Sequence, residues 1–235
     1  MDYSYLDENV RDIKNKLDAA TARSGRDAGS VTLMSAIKSA DVEEINYIHR
    51  ALGICDVGEN RVQQLLERWD KLDREGLRMH FIGSLQTNKV KYIIDKVYMI
   101  HSVDSEKLAA EIDRQATKHG IVVNVLVEIN SGGEESKGGV APEDAKNLCL
   151  ALEKYSGIRL CGFMTMAPKC ENKNDYYGYF QTTRKLGEEI WKDLLHRDDE
   201  PVLSMGMSES YEEAAECGAT IVRVGRSMFA KPVAE

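Results

Sequence analysis

Strand-like and helix-like runs alternate along the whole chain, and this alternation limits the possible folds more than any single motif does. Eight short apolar runs occur at "VTLMSAIK" (31–38), "ICDVGEN" (54–60), "MHFIGS" (79–84), "VYMIHSVD" (97–104), "VVNVLVEIN" (122–130), "IRLCGFMTM" (158–166), "PVLSMGMS" (201–208) and "TIVRVGRSMF" (220–229). Between them, residues 42–52, 62–71, 105–119, 142–155 and 176–195 place apolar side chains at helical spacing. Such alternation with short connections predicts parallel βαβ units. Eight repeats in 235 residues fit an α/β fold, a single (β/α)8 TIM-type barrel with an extra N-terminal helix over 5–22. A doubly wound open sheet is the alternative, and the lack of GxGxxG after the first strand weakens its dinucleotide-binding version. No Pro/Gly/Ser-rich linker or low-complexity block interrupts the pattern, so 1–235 is read as one domain, with 167–177 a flexible insertion.

A chain that is 43% hydrophobic with 4 Pro can bury a substantial core. Its net charge of -8 argues against nucleic acid as a partner, because phosphate backbones are bound through excess Lys and Arg. The acidic, amphipathic start "MDYSYLDENVRDIKNKLDAA" is unlike a signal peptide, and no window is long and apolar enough to span a bilayer. The chain is therefore expected to be soluble and cytoplasmic, with no membrane partner. Five cysteines include no CxxC pair and five histidines no HExxH spacing, so no metal site is expected.

In a parallel barrel the ligand sits at the C-terminal ends of the strands. Side chains alternate, so Met34, Ala36 and Lys38 share one face of the first strand and Leu33 and Ile37 the other. If the Leu/Ile face packs on helices, Lys38 closes the strand as a buried amine in the barrel mouth. By the same reasoning Val222 and Val224 face the helices and Arg223 points inward. Two inward cations call for an anion, since leaving one buried without its partner costs about 3–5 kcal/mol; a phosphate-bearing ligand would answer. The loops after strands seven and eight supply Ser208, a Ser210/Glu213 pair at capping-box spacing, and Gly225, where the backbone can approach an oxyanion.

Plainer readings compete. A lone lysine at a strand end is ordinarily a solvated charge, and Arg223 could pair with Glu128 instead. "GGEESKGG" reads as a rim loop rather than a P-loop, with Lys137 a candidate for transient phosphate contact. Lys89 and Lys91 of "TNKVK" read as solvated residues opening a helix, His80 and His101 as structural histidines, and Glu59 as an orienting or structural carboxylate.

The ordered motifs "AIKSADVEEI", "DVGENRVQQLLER", "HFIGSLQTNKVKYI", "VLVEINSGGEESKGGV", "GFMTMAP" and "LSMGMSESYEEAAECGATIVRVGRSMF" resemble the pyridoxal phosphate homeostasis protein family. Its fold is similar to the N-terminal barrel of alanine racemase, and the resemblance spans about residues 6–230. It implies that Lys38 forms a Schiff base with pyridoxal 5'-phosphate and that Arg223 faces the pyridine nitrogen. It also implies that Ser208, Gly225 and Arg226 lie at phosphate-binding positions, with Asn60 on the second-strand rim near the cofactor. The chain departs from the family where Ser39, Ala40 and Asp41 replace the usual Thr-Lys-Pro, Gly225-Arg226 the usual Gly-Thr, and Phe229-Ala230 the usual Phe-Gly. Arg226 should keep its backbone N–H as a donor, with its side chain either adding charge or turning to solvent.

A lysine attacks an aldehyde only as the neutral amine, so the pKa must fall from about 10.4 through desolvation and nearby positive charge. An arginine at the ring nitrogen keeps that nitrogen unprotonated and the ring a weaker electron sink. Alanine racemase adds a second domain bearing a tyrosine acid/base, for which this length leaves no room, and no tyrosine follows Lys38. The resemblance thus implies a monomeric, non-catalytic carrier that maintains intracellular pyridoxal phosphate, meets amines or amino acids, and serves apo-enzymes that need the cofactor. A low-activity racemase and a cofactor-free Schiff-base aldolase remain the alternatives.

Overall fold

In the computed structural model, which describes residues 2–133 and 138–232, the eight apolar runs become eight parallel strands. They are β1 (Thr32–Ala36), β2 (Asp56–Glu59), β3 (Arg78–Phe81), β4 (Met99–Val103), β5 (Val123–Ile129), β6 (Ile158–Thr165), β7 (Val202–Ser204) and β8 (Ile221–Val224). Each pairs with its sequence neighbours and β1 also pairs with β8, which closes the barrel as expected. The helices are α1 (Ser4–Arg23), α2 (Val42–Leu52), α3 (Val62–Trp69), α4 (Glu106–His119), α5 (Ala145–Leu152), α6 (Asp175–Glu189) and α7 (Tyr211–Glu216). A 3₁₀ turn at Thr87–Tyr92 stands where "TNKVK" suggested a helix start, with Lys89 and Lys91 exposed.

Alternation along the strands builds two apolar layers. Leu33, Ile37, Val222 and Val224 belong to the layer shared with the helices, where α1 also buries Leu6, Val10, Ile13 and Leu17. Inside the barrel, Met34, Ile82 and Ile221 pack with Ala36, while Met99, Leu126 and Met164 pack with Cys161 and Met166. The facing expected for β1 and β8 is therefore correct.

The strands are shorter than the runs, and their C-terminal residues become the loops of the mouth. β1 stops at Ala36, two residues before Lys38: the Ile37 N–H makes the last ladder bond, to the Gly58 carbonyl, and the Ala40 N–H then turns back to the Ile37 carbonyl. The far end of this turn is fixed by Asp41, which forms a capping box with Glu44 at the start of α2, with bonds of 2.8 and 2.9 Å. That gives the unusual Ser39-Ala40-Asp41 a local structural purpose. The capping box read at Ser210 and Glu213 does not form: the Ser210 hydroxyl instead accepts the Met207 N–H at 3.2 Å, and Glu213 lies 3.6 Å from Lys173. Among the described residues, no helix is long and apolar enough to cross a membrane, and no group of three His, Cys, Asp or Glu could hold a metal ion. Lys137 lies outside the described residues.

Candidate functional site

A cavity of about 270 Å³ opens at the C-terminal ends of the strands, and Lys38, Asn60, Ser208, Arg223, Gly225 and Arg226 all line it. Residues 185 positions apart in sequence meet here because β1 and β8 are neighbours, with Met34 opposite Arg223 in register. Lys38 reaches the cavity from the turn beyond β1, and its side chain is exposed. The expectation of a buried amine is thus corrected: the strand ends early, so the side chain stands exposed at the rim rather than in the barrel interior.

The turn bearing Lys38 is clamped from behind. Arg68 of α3 donates to the carbonyls of Ile37 (3.0 Å) and Ala40 (2.8 Å), on either side of Lys38, and to the Glu59 carboxylate (2.6 Å). Glu59 is fully buried, and its other oxygen accepts the backbone N–H groups of Asn60 (2.7 Å) and Arg61 (3.2 Å). One carboxylate therefore orders both the Lys38 turn and the Asn60 turn, in the orienting role its position suggested.

Arg223 is buried inside the barrel, as its parity requires. Its Nη1 donates to the Ser204 carbonyl (2.6 Å) and hydroxyl (2.7 Å), and its Nη2 to the Thr165 carbonyl (2.9 Å). These acceptors are neutral, in place of an ion pair with Glu128. Burial lowers the guanidinium to about 10, with the more distant Glu128 charge opposing that shift. Burial likewise lifts the Glu128 carboxyl to about 7, opposed by Arg223 and reinforced by Asp104. The pocket thus has a cationic inner wall with no ion-pair partner among the described residues.

On the β7–β8 side, the Ser208 hydroxyl accepts the N–H groups of Gly225 (3.3 Å) and Ser227 (3.5 Å), and the Ser227 hydroxyl is buried without a partner among the described residues. A Cβ at Gly225 would stand 2.5 Å from the Ala36 carbonyl oxygen, so only glycine lets β8 run this close to β1. The Arg226 side chain turns out to solvent and pairs with Glu209, the second of the two outcomes expected for it. Sequence reasoning missed the opposite wall, made by Met166, Pro168, Lys169 and Tyr176. These residues follow β6, and residues 167–177 had been read only as an insertion. Tyr176 is buried, with its hydroxyl accepting the Cys170 N–H at 3.3 Å.

Residues 2–232 match the family model of the alanine racemase N-terminal domain. A protein of Aquifex aeolicus described as a pyridoxal phosphate homeostasis protein is 41% identical, over 94% of this chain and 96% of its own. PipY of Synechococcus elongatus PCC7942, solved with PLP bound, superposes with a TM-score of 0.79 at 28% identity, over 90% of this chain and 100% of that one. An alanine racemase of Clostridium difficile superposes with a TM-score of 0.78 at 17% identity; 99% of this chain covers 61% of that one, a likeness of fold.

Proposed function

The chain belongs to the pyridoxal phosphate homeostasis protein family, on the alanine racemase N-terminal domain fold, and on that premise we propose that it binds pyridoxal 5'-phosphate at the barrel mouth and maintains its supply in the cytoplasm. One observation carries the reading. A single cavity brings together a primary amine, a buried guanidinium with no ion-pair partner among the described residues, and the Gly225 turn beside the Ser208 hydroxyl. That donor set fits the group: Lys38 would face its aldehyde, Arg223 its ring nitrogen, and the Ser208, Gly225 and Arg226 backbone and hydroxyl groups would hold its phosphate. Bound there, pyridoxal 5'-phosphate would supply a reactive aldehyde and a ring that withdraws electrons less well beside an arginine than beside a carboxylate.

The chain's own residues favour holding the ligand over transforming it. Lys38 stands exposed at the rim, open to exchange with incoming amines or amino acids. On the opposite wall Tyr176 is a core ring whose hydroxyl accepts the Cys170 N–H, and Lys169 is exposed to solvent, while Glu209 of the lining is paired with Arg226. The proposed role is therefore a non-catalytic, monomeric carrier whose partners are the cofactor, small amines and apo-enzymes.

Purified protein tests this directly. Reconstitution is expected to give a yellow solution whose visible band disappears on borohydride reduction, with the label on Lys38, and Lys38→Ala is expected to remain colourless. A wild-type protein that stays colourless would overturn the binding. Rapid solvent deuterium exchange at the α-carbon of amino acids, lost in Lys38→Ala, would overturn the non-catalytic part.

A further inference from the structure

The barrel interior contains a chain of polar groups that cavity binding does not explain. Arg223 Nη1 lies 2.7 Å from Ser204 Oγ, Ser204 Oγ 2.9 Å from His101 Nδ1, His101 Nε2 2.9 Å from His80 Nδ1, and His80 Nε2 2.9 Å from Asp56 Oδ1. Asp56 is held in turn by Arg78 at 2.7 and 2.5 Å, at the N-terminal ends of β2 and β3. The chain therefore passes from the mouth to the opposite end of the barrel. His80, His101 and Ser204 are all at most 1% exposed, so no bulk water competes for these bonds.

We propose that Ser204, His101, His80 and Asp56 are positioning residues for Arg223, joined in one hydrogen-bond chain of fixed direction. The direction follows from its ends. A guanidinium can only donate, and a carboxylate paired with Arg78 can only accept. Between them stand three groups that each give one proton and take one. Arg223 donates to Ser204, Ser204 to His101 Nδ1, His101 Nε2–H to His80 Nδ1, and His80 Nε2–H to Asp56. Four bonds are filled by four protons. With both rings neutral this is the one order in which every bond has a donor and an acceptor, because Asp56 forces the His80 proton onto Nε2 and leaves its Nδ1 to accept. In that order both rings are Nε2–H tautomers.

This direction matters at the pocket. Because His101 Nδ1 takes the Ser204 proton, a serine lone pair is turned toward Arg223 and holds the guanidinium in the plane set by the Ser204 and Thr165 carbonyls. The nearest carboxylate along the chain, Asp56, is three neutral groups away and already paired. Arg223 is thus oriented by neutral acceptors, with no carboxylate hydrogen-bonded to it among the described residues. Its meaning for the cofactor rests on the functional reading above; the tautomers do not.

The first test uses cofactor-free wild-type protein with 15N-labelled histidine. Long-range correlation spectra are expected to show Nδ1 unprotonated and Nε2 protonated on both His80 and His101; an Nδ1–H tautomer or a cationic ring at either position near neutral pH would overturn the chain. The second test measures release of pyridoxal 5'-phosphate. Ser204→Ala is expected to speed it about tenfold, the size of one charge-assisted hydrogen bond, and Ser204→Thr to restore it. Equal release from the Ala, Thr and wild-type proteins would overturn the positioning role. If the wild type takes up no pyridoxal 5'-phosphate, the functional reading fails, and the tautomer measurement alone decides the chain.

Discussion

Glu128 and His101 lie within the same barrel, and burial moves their protons in opposite senses. The Glu128 carboxyl is raised to about 7, so between the ordinary value of 4.5 and about 7 the folded protein binds more protons than the unfolded chain, and this contribution to stability is lost as pH rises. The His101 imidazole is held well below 6.5, by burial first and then by its neighbours His80 and Arg223. There the unfolded chain binds more protons, so stability is lost as pH falls below 6.5. Below pH 6.5 the two effects therefore oppose each other. Urea unfolding of the wild type should show a weaker pH dependence there than Glu128→Gln, in which stability should rise with pH; a variant whose profile does not rise would contradict the burial of a neutral His101. Further down, Asp56 is held at about 2 by Arg78 and His80 against the opposing effect of burial. Its contribution, about 2 kcal/mol, is complete above about pH 5 and disappears as pH falls through about 2.

The elements around the mouth are tied by a few side chains whose removal has a specific signature. Arg68 links α3 to the turn after β1 through two carbonyls and to Glu59, which is wholly buried. Arg68→Met leaves that carboxylate unpaired, and a loss of about 3 kcal/mol is expected in chemical unfolding. Arg68→Lys should recover only part of it, because one ammonium cannot span both carbonyls and the carboxylate. A methionine variant as stable as wild type would show that the turn holds itself. Gly225→Ala is expected to cost about 1–3 kcal/mol, since the new methyl meets the Ala36 carbonyl and must push β8 from β1. Much of this was legible in sequence. Period-two alternation placed Met34, Arg223 and the helix-facing Leu33, Ile37, Val222 and Val224 correctly, and the resemblance supplied the residues that gather in the cavity. Alternation does not say where a ladder stops, however. β1 ends where the Ala40 N–H turns back to the Ile37 carbonyl, and so Lys38 is exposed. Nor could a serine and a glutamate at capping spacing reveal that the hydroxyl would be claimed by Met207. The His80–His101 pair was legible in part, because each histidine is third in its strand, as inward-facing Arg223 is in β8. Their meeting required the pairing of β3 with β4.

Across the whole barrel, the candidate site straddles the least continuous part of the sheet. β5 and β6 run side by side along all of Val123–Ile129, whereas β7 has three residues and meets β8 in register only at Ser204 and Ile221. Beyond that pair, the seam relies on loop bonds such as Arg223 N–H to the Gly206 carbonyl at 3.0 Å and on the Ser208 hydroxyl bridging to Gly225. A ligand attached at Lys38 and seated on the turn after β8 would bridge the first and last strands and cover this seam. It binds only the closed barrel, so it should stabilise folding by about 2.7 kcal/mol at a hundredfold excess over its Kd, with Tm rising as its concentration rises. Local opening draws on the regions with the fewest buried bonds. Amide exchange should therefore be fastest around residues 203–208 and 223–227 in the cofactor-free protein. Adding pyridoxal 5'-phosphate should slow it most there, much less along β4 to β6, and only weakly in Lys38→Ala. Equal slowing in every strand would mean that the barrel opens as one unit and the seam is no weaker than the rest; no slowing at β7 and β8 would place the ligand elsewhere.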